Sequence, residues 1–124
     1  MVRQYAAVAG IAVLLLGVLG LILGDGHLGG LLNIDITEDL VHLLTGGLLA
    51  YVGLAQRDVS LARTVVGVVS VVYLLVGIIG FIDPRLFGLV PSGYLISDNI
   101  VHLALGIIGI VVAWLLPRDN RAAI

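Results

Sequence analysis

The sequence predicts an all-α protein: a polytopic transmembrane four-helix bundle made of two parallel tandem-repeat helical hairpins, with both termini on the cytoplasmic side. Three observations predict it. Of 124 residues, 60% are hydrophobic and 11% are charged, with a mean hydropathy of +1.22, whereas soluble domains are roughly 25% charged. The chain also repeats itself at a constant offset, so that Leu14-Leu15-Leu16-Gly17-Val18-Leu19-Gly20 returns as Leu74-Leu75-Val76-Gly77-Ile78-Ile79-Gly80. Thr37-Glu38-Asp39-Leu40-Val41-His42-Leu43 returns as Ser97-Asp98-Asn99-Ile100-Val101-His102-Leu103. Third, the arginines lie almost entirely on one side of the predicted layout.

Four apolar stretches supply the spans: Gln4 to Leu23, Asp39 to Ala55, Leu61 to Ile82 and Asn99 to Leu116. Each reaches or approaches the roughly 20 residues that cross a bilayer as a helix. The second and fourth are short, so they span only with their polar first turns at the membrane surface. The repeats run from about 3 to 56 and from about 63 to 116 within one transmembrane domain. Arg3 followed by an apolar run imitates a secretory signal. No small-x-small cleavage site follows Leu23, and the same segment recurs inside the chain, so the first stretch is expected to be a retained helix.

Arg3, Arg57, Arg63, Arg118 and Arg121 fall in the two termini and the short middle connection, and only Arg85 lies opposite. The positive-inside bias then puts both termini in the cytoplasm and the two longer connections outside. Asp25, Asp35, Glu38, Asp39, Asp83 and Asp98 cluster in or beside the two outer connections, in agreement. With two helices per copy, both copies enter the membrane in the same direction, and the pseudo-two-fold axis lies along the membrane normal. There is no cysteine, which excludes disulfides and thiolate chemistry.

The outer connections carry apolar residues, Leu31-Leu32 in the first and Leu86-Phe87-Gly88-Leu89-Val90 in the second, and are expected to fold back on the membrane surface as short interfacial helices. Each ends in a helix start. Thr37 and Ser97 are the expected caps, with acids in the first turn complementing the helix dipole; an Asp35-x-x-Glu38 capping box is the other register. Small residues recur along every helix: Gly10, Gly17, Gly20 and Gly24; Gly46 and Gly53; Ser70, Gly77 and Gly80; Gly106 and Ala113. Such stripes let backbones approach closely where lipid gives no hydrophobic drive. Gly20-x-x-x-Gly24 is a candidate face for a partner chain.

Two constellations bring polar groups into apolar segments: Asp39, His42 and Gly46, and Asn99, His102 and Gly106. At offsets of three and seven the members share a helix face. Four readings are open. In the first the imidazoles are structural, bonding a neighbouring carbonyl or loop with Asp39 or Asn99 orienting them. Alternatively they hold a haem between helices two and four, with the glycines giving the flat ring room. A metal site of His42, His102 and Asp39 is the third reading, and proton or lipid-headgroup binding the fourth. His27, in a glycine-rich loop, is expected to be solvated.

The paired N/D-x-x-H-L-x-x-x-G helix starts, the Leu86-Phe87-Gly88-Leu89 segment and the Gly-x-x-Gly ends of helices one and three resemble the small bacterial and archaeal membrane proteins of the domain of unknown function 4383 family. The resemblance covers Gln4 to Leu116. It implies a four-helix integral membrane protein and brings no established activity. Asp39 departs from the family pattern, which has asparagine there.

No buried carboxylate pair, nucleophile or phosphate loop is expected that would mark a catalyst, and the helix midpoints are apolar or glycine, which argues against a channel. The expected function is therefore a non-enzymatic structural or accessory subunit embedded in the lipid bilayer. It would associate with itself or with a larger membrane complex, and no nucleic-acid partner is expected. Tyr73, Phe81, Phe87 and Trp114 are expected to face lipid or the partner. A cofactor carrier, of haem or a metal, built on His42 and His102 is the alternative.

Overall fold

The computed structural model describes residues 1–117; Arg118 and Arg121 of the orientation count lie outside the described residues. Four helices account for most of the chain. Helix α1 spans Val2–Leu23 and is followed by a two-stranded hairpin, β1 (His27–Leu28) and β2 (Leu32–Asn33). Helix α2 spans Ile36–Ala50 and ends in a π turn at Tyr51–Ala55; α3 spans Val59–Ile82. A single 3-10 turn at Leu86–Gly88 leads to α4, Ile96–Ile110, which ends in a π turn at Val111–Leu115. Thus α2 and α4 are both 15 residues long and both widen into a five-residue π turn.

Among the described residues, three segments are long and apolar enough to cross a membrane: Val2–Leu23 and Val59–Ile82, each with a hydropathy of 2.8, and Ile96–Leu115 at 1.9. The expected span in α2 does not join them, because Glu38, Asp39, His42 and Thr45 dilute its apolar content. The surface is the inverse of a water-soluble protein. Val8, Ile22, Ile82 and Leu115 point outward, while Asp35, Glu38, Asp39, His42, Asp98, Asn99 and His102 are buried. Phe81, Phe87 and Trp114 are exposed, but Tyr73 is 4% exposed and belongs to the core. Its phenol is drawn inward by a 2.6 Å hydrogen bond with the Thr45 hydroxyl.

The small-residue stripes hold the helices together. Helix α1 packs antiparallel on α2: Gly46 abuts the Leu14 backbone, Gly10 meets Leu49 and Ala50, and Gly53 meets Ala7. Helix α3 packs antiparallel on α4 in the same manner, with Gly106 against Leu74 and Gly77 against Leu103. Side chains at these glycines would drive the backbones apart, and the lost close contacts are the main attraction between helices in lipid. The pairs meet over Val2, Ala6, Ala9, Leu49, Val52, Ala62, Val66, Val69 and Ala113. At that end Arg3 donates to the Val52 carbonyl at 3.4 Å and Arg63 to the Ala113 carbonyl at 2.6 Å. Each arginine so satisfies a carbonyl of a π turn, at the negative end of the neighbouring helix.

Several local expectations are corrected. The first outer connection is a β-hairpin instead of an interfacial helix, because Gly29 and Gly30, at φ 59° and 71°, turn the chain back on itself. The helix caps are Asp35 and Leu95, not Thr37 and Ser97. Asp35 makes no side-chain cap bond, so no Asp35 and Glu38 box forms. Gly24 is exposed as the positive-φ residue ending α1 and Gly20 is covered by Asp39, so these two glycines form no shared face for a partner.

Candidate functional site

Helices α2 and α4 begin at the same end of the bundle, and their second turns bring His42 and His102 together around a third residue, Glu38. Glu38 sits one turn before His42 on α2, and an offset of four puts both side chains on one face. His42 Nε2 lies 3.0 Å from Glu38 Oε1, and His102 Nε2 lies 3.9 Å from the same oxygen. The Tyr94 hydroxyl donates to the other carboxylate oxygen, Oε2. Burial, and the neighbouring Glu38 carboxylate after it, push the Tyr94 phenol far up, which keeps it protonated as the donor. All three members of the triad are at least 95% buried.

Aromatic rings wall the site. Tyr73 stacks on His102 at 5.7 Å with an interplanar angle of 14°, and Tyr94 meets the same ring edge-on at 5.0 Å and 76°. On one side a cavity of about 30 Å³ is lined by His42, His102, Asn33, Asp98 and apolar side chains. On the other, an apolar pocket of about 210 Å³ between α2, α3 and the second outer connection reaches Glu38 and Tyr94.

The outer connections lock over this end. Asp35 accepts the Ser92 amide at 2.7 Å, the Ser92 hydroxyl at 2.5 Å and the Asn33 amide at 3.1 Å. Burial opposes ionisation of Asp35, yet these hydrogen bonds outweigh it and hold the carboxyl below its ordinary value. Asp98 accepts the Leu95 and Asn33 backbone amides, both at 2.8 Å. His27, expected to be solvated, instead bonds the Gly93 carbonyl at 2.9 Å and ties the hairpin to the second connection. The Ser97 hydroxyl donates to the Leu31 carbonyl.

Of the residues singled out in sequence, His42 and His102 converge, but Asp39 and Asn99 do not join them. Their side chains press on Gly20 and Gly80 of the paired helices, where a Cβ would overlap the carboxylate or the amide. Asp39 Oδ1, Asn99 Oδ1 and the Nδ1 atoms of His42 and His102 are buried without a hydrogen-bond partner among the described residues. The carboxylate beside the histidines is therefore Glu38, not Asp39, and the proposed metal set is corrected accordingly. Gly46 and Gly106 make no slot for a ring, since each is filled by the backbone of a neighbouring helix. With about 30 Å³ beside the histidines, against the roughly 300 Å³ or more of pockets that hold large ligands, these residues do not fit a haem. The signal that finds Glu38 in sequence is its i, i+4 relation to His42.

Compared with protein families, with curated proteins and with solved structures, the chain matches none.

Proposed function

We infer that the chain is a small integral membrane protein of a prokaryotic inner membrane, a structural or accessory subunit without catalytic activity. It associates with a second copy or with a larger membrane complex. The observation that carries this reading is the division of the molecule into an apolar exterior and a buried polar interior. The exterior offers branched and aromatic groups such as Phe81 and Trp114 to lipid or to partner helices. The interior turns Glu38, His42 and His102 toward one another.

In this reading the chain is a tandem duplication, two hairpins entering the membrane in the same direction with both termini in the cytoplasm. The matching lengths and π turns of α2 and α4 support it, as do the arginines at the end opposite the histidines. Resemblance to the domain of unknown function 4383 family belongs to the same reading. Purification from native membrane in mild detergent tests the association: a second copy or one membrane protein recovered at constant ratio is the expected result, and an isolated monomer contradicts it. Orientation is tested separately, because the chain has no cysteine to interfere. An impermeant maleimide should label Asp25→Cys in intact cells and spare Ser60→Cys; the reverse pattern overturns the topology.

A further inference from the structure

We propose that Glu38, His42 and His102 form a binding site for one divalent transition-metal ion of the zinc class, held between the two helix pairs beneath the outer connections. The candidate ligand atoms, one carboxylate oxygen and two Nε2, all lie within 4.8 Å of one another. Ligands on a tetrahedral zinc, with bonds of about 2.0–2.2 Å, stand about 3.3 Å apart. His42 and Glu38 already meet that spacing at 3.0 Å, and His102, 3.9 Å from Glu38 and within 4.8 Å of the His42 ligand atom, closes on the ion by a side-chain adjustment. Two imidazoles and one carboxylate are a donor set that suits zinc and its neighbours and leaves a fourth position open. The adjacent cavity of about 30 Å³ has room for a water there, which needs roughly 10–15 Å³.

Charge supplies a second, independent observation. Asp35, Glu38, Asp39 and Asp98 are all buried at this end of the bundle. Among the described residues, the ion pairs made by these four are those of Glu38 with the two histidines. Buried charges are found paired or coordinating metals, because an isolated one is expensive in a low dielectric. A dication at the triad offsets this accumulation where, among the described residues, no arginine forms an ion pair with it. Tyr94 acts as a positioning residue: its hydroxyl holds Oε2 and so turns Oε1 toward the imidazoles.

The test uses the full chain, purified in detergent without a polyhistidine tag, stripped with a chelator and dialysed against zinc. Elemental analysis should find about one zinc per folded chain. The double variant His42→Asn/His102→Asn should retain less than about a tenth of that, and His27→Asn all of it. Tyr94→Phe should weaken zinc binding by about 10–100-fold while keeping the stoichiometry. X-ray absorption of the zinc-loaded wild type should show two imidazoles among nitrogen and oxygen ligands, a readout that stands even if the double variant does not fold. Folded wild type that takes up no zinc, retention by the double variant, or a spectrum without imidazole overturns the proposal. None of these outcomes depends on whether the subunit reading is right.

Discussion

Glu38 and Asp98 occupy the same place in the two repeats, the third residue of a helix that carries a histidine one turn later, yet they do different things. Asp98 turns back to its own helix start and accepts the Leu95 amide, reaching across only to the Asn33 amide. Glu38, longer by one methylene, extends into the bundle and meets His42, His102 and Tyr94. The helix caps diverge too: Asp35 in the first repeat reaches across to Ser92, and Leu95 in the second has no such group. The packing glycines Gly46 and Gly106 thus keep matching contacts, while one acid, Glu38, reaches across to the other helix pair.

The largest effect should come from removing that acid. Glu38→Ala leaves the His42 imidazole and the Tyr94 phenol without their shared acceptor, takes away the carboxylate beside His102, and should cost on the order of 3–5 kcal/mol. Asp98→Ala, which strips an acceptor from two amides, should cost about 1–3 kcal/mol. Urea or thermal unfolding in detergent measures both, and equal losses would erase the distinction between the repeats. Packing should behave in the opposite way. Gly46→Ala and Gly106→Ala each push against backbone of the paired helix, and should lose similar amounts, about 1–3 kcal/mol. Gly47, with nothing within 4 Å of a Cβ, should accept alanine without loss. A large effect at Gly47 would show that α2 faces its neighbours differently.

The smallest effect concerns acid. Asp35 has a folded-state pKa below its ordinary value, so it contributes stability above the unfolded value near 3.9, and that contribution disappears as pH falls through the lowered pKa. Unfolding followed from pH 6 to pH 2 should therefore show a loss below about pH 4 that Asp35→Asn removes, with lower stability for the variant at neutral pH. An unchanged acid limb in the variant would place the loss on other carboxylates.

The helices were legible because lipid exposure demands long apolar runs, and the glycine stripes because close helix approach demands small residues at every second turn. Those two demands also put Asp39, His42, Asn99 and His102 at matched, buried positions. The role of Glu38 was obscured by its location: an acid in a first helical turn already has a local explanation in the helix dipole. The i, i+4 spacing to His42 is its one local sign, and the contacts with His102 and Tyr94, distant in sequence, complete its second role. The same holds for Asp35 with Ser92 and His27 with Gly93, which depend on how two dissimilar loops meet. The inward turn of Tyr73 has no local sign in sequence, because an aromatic residue in an apolar helix does not show whether a hydroxyl such as that of Thr45 waits inside.

That the two repeats are joined through Glu38 is tested most directly by a double-mutant cycle between Glu38→Met and Tyr94→Phe, followed by unfolding in detergent. Each single change leaves a buried polar group without its partner, whereas the double change removes both. The cycle should therefore give a coupling of about 1–3 kcal/mol, with the double variant more stable than the sum of the singles predicts. Effects that add to within about 0.5 kcal/mol would contradict the account and reduce Glu38 to an acid that merely begins its own helix.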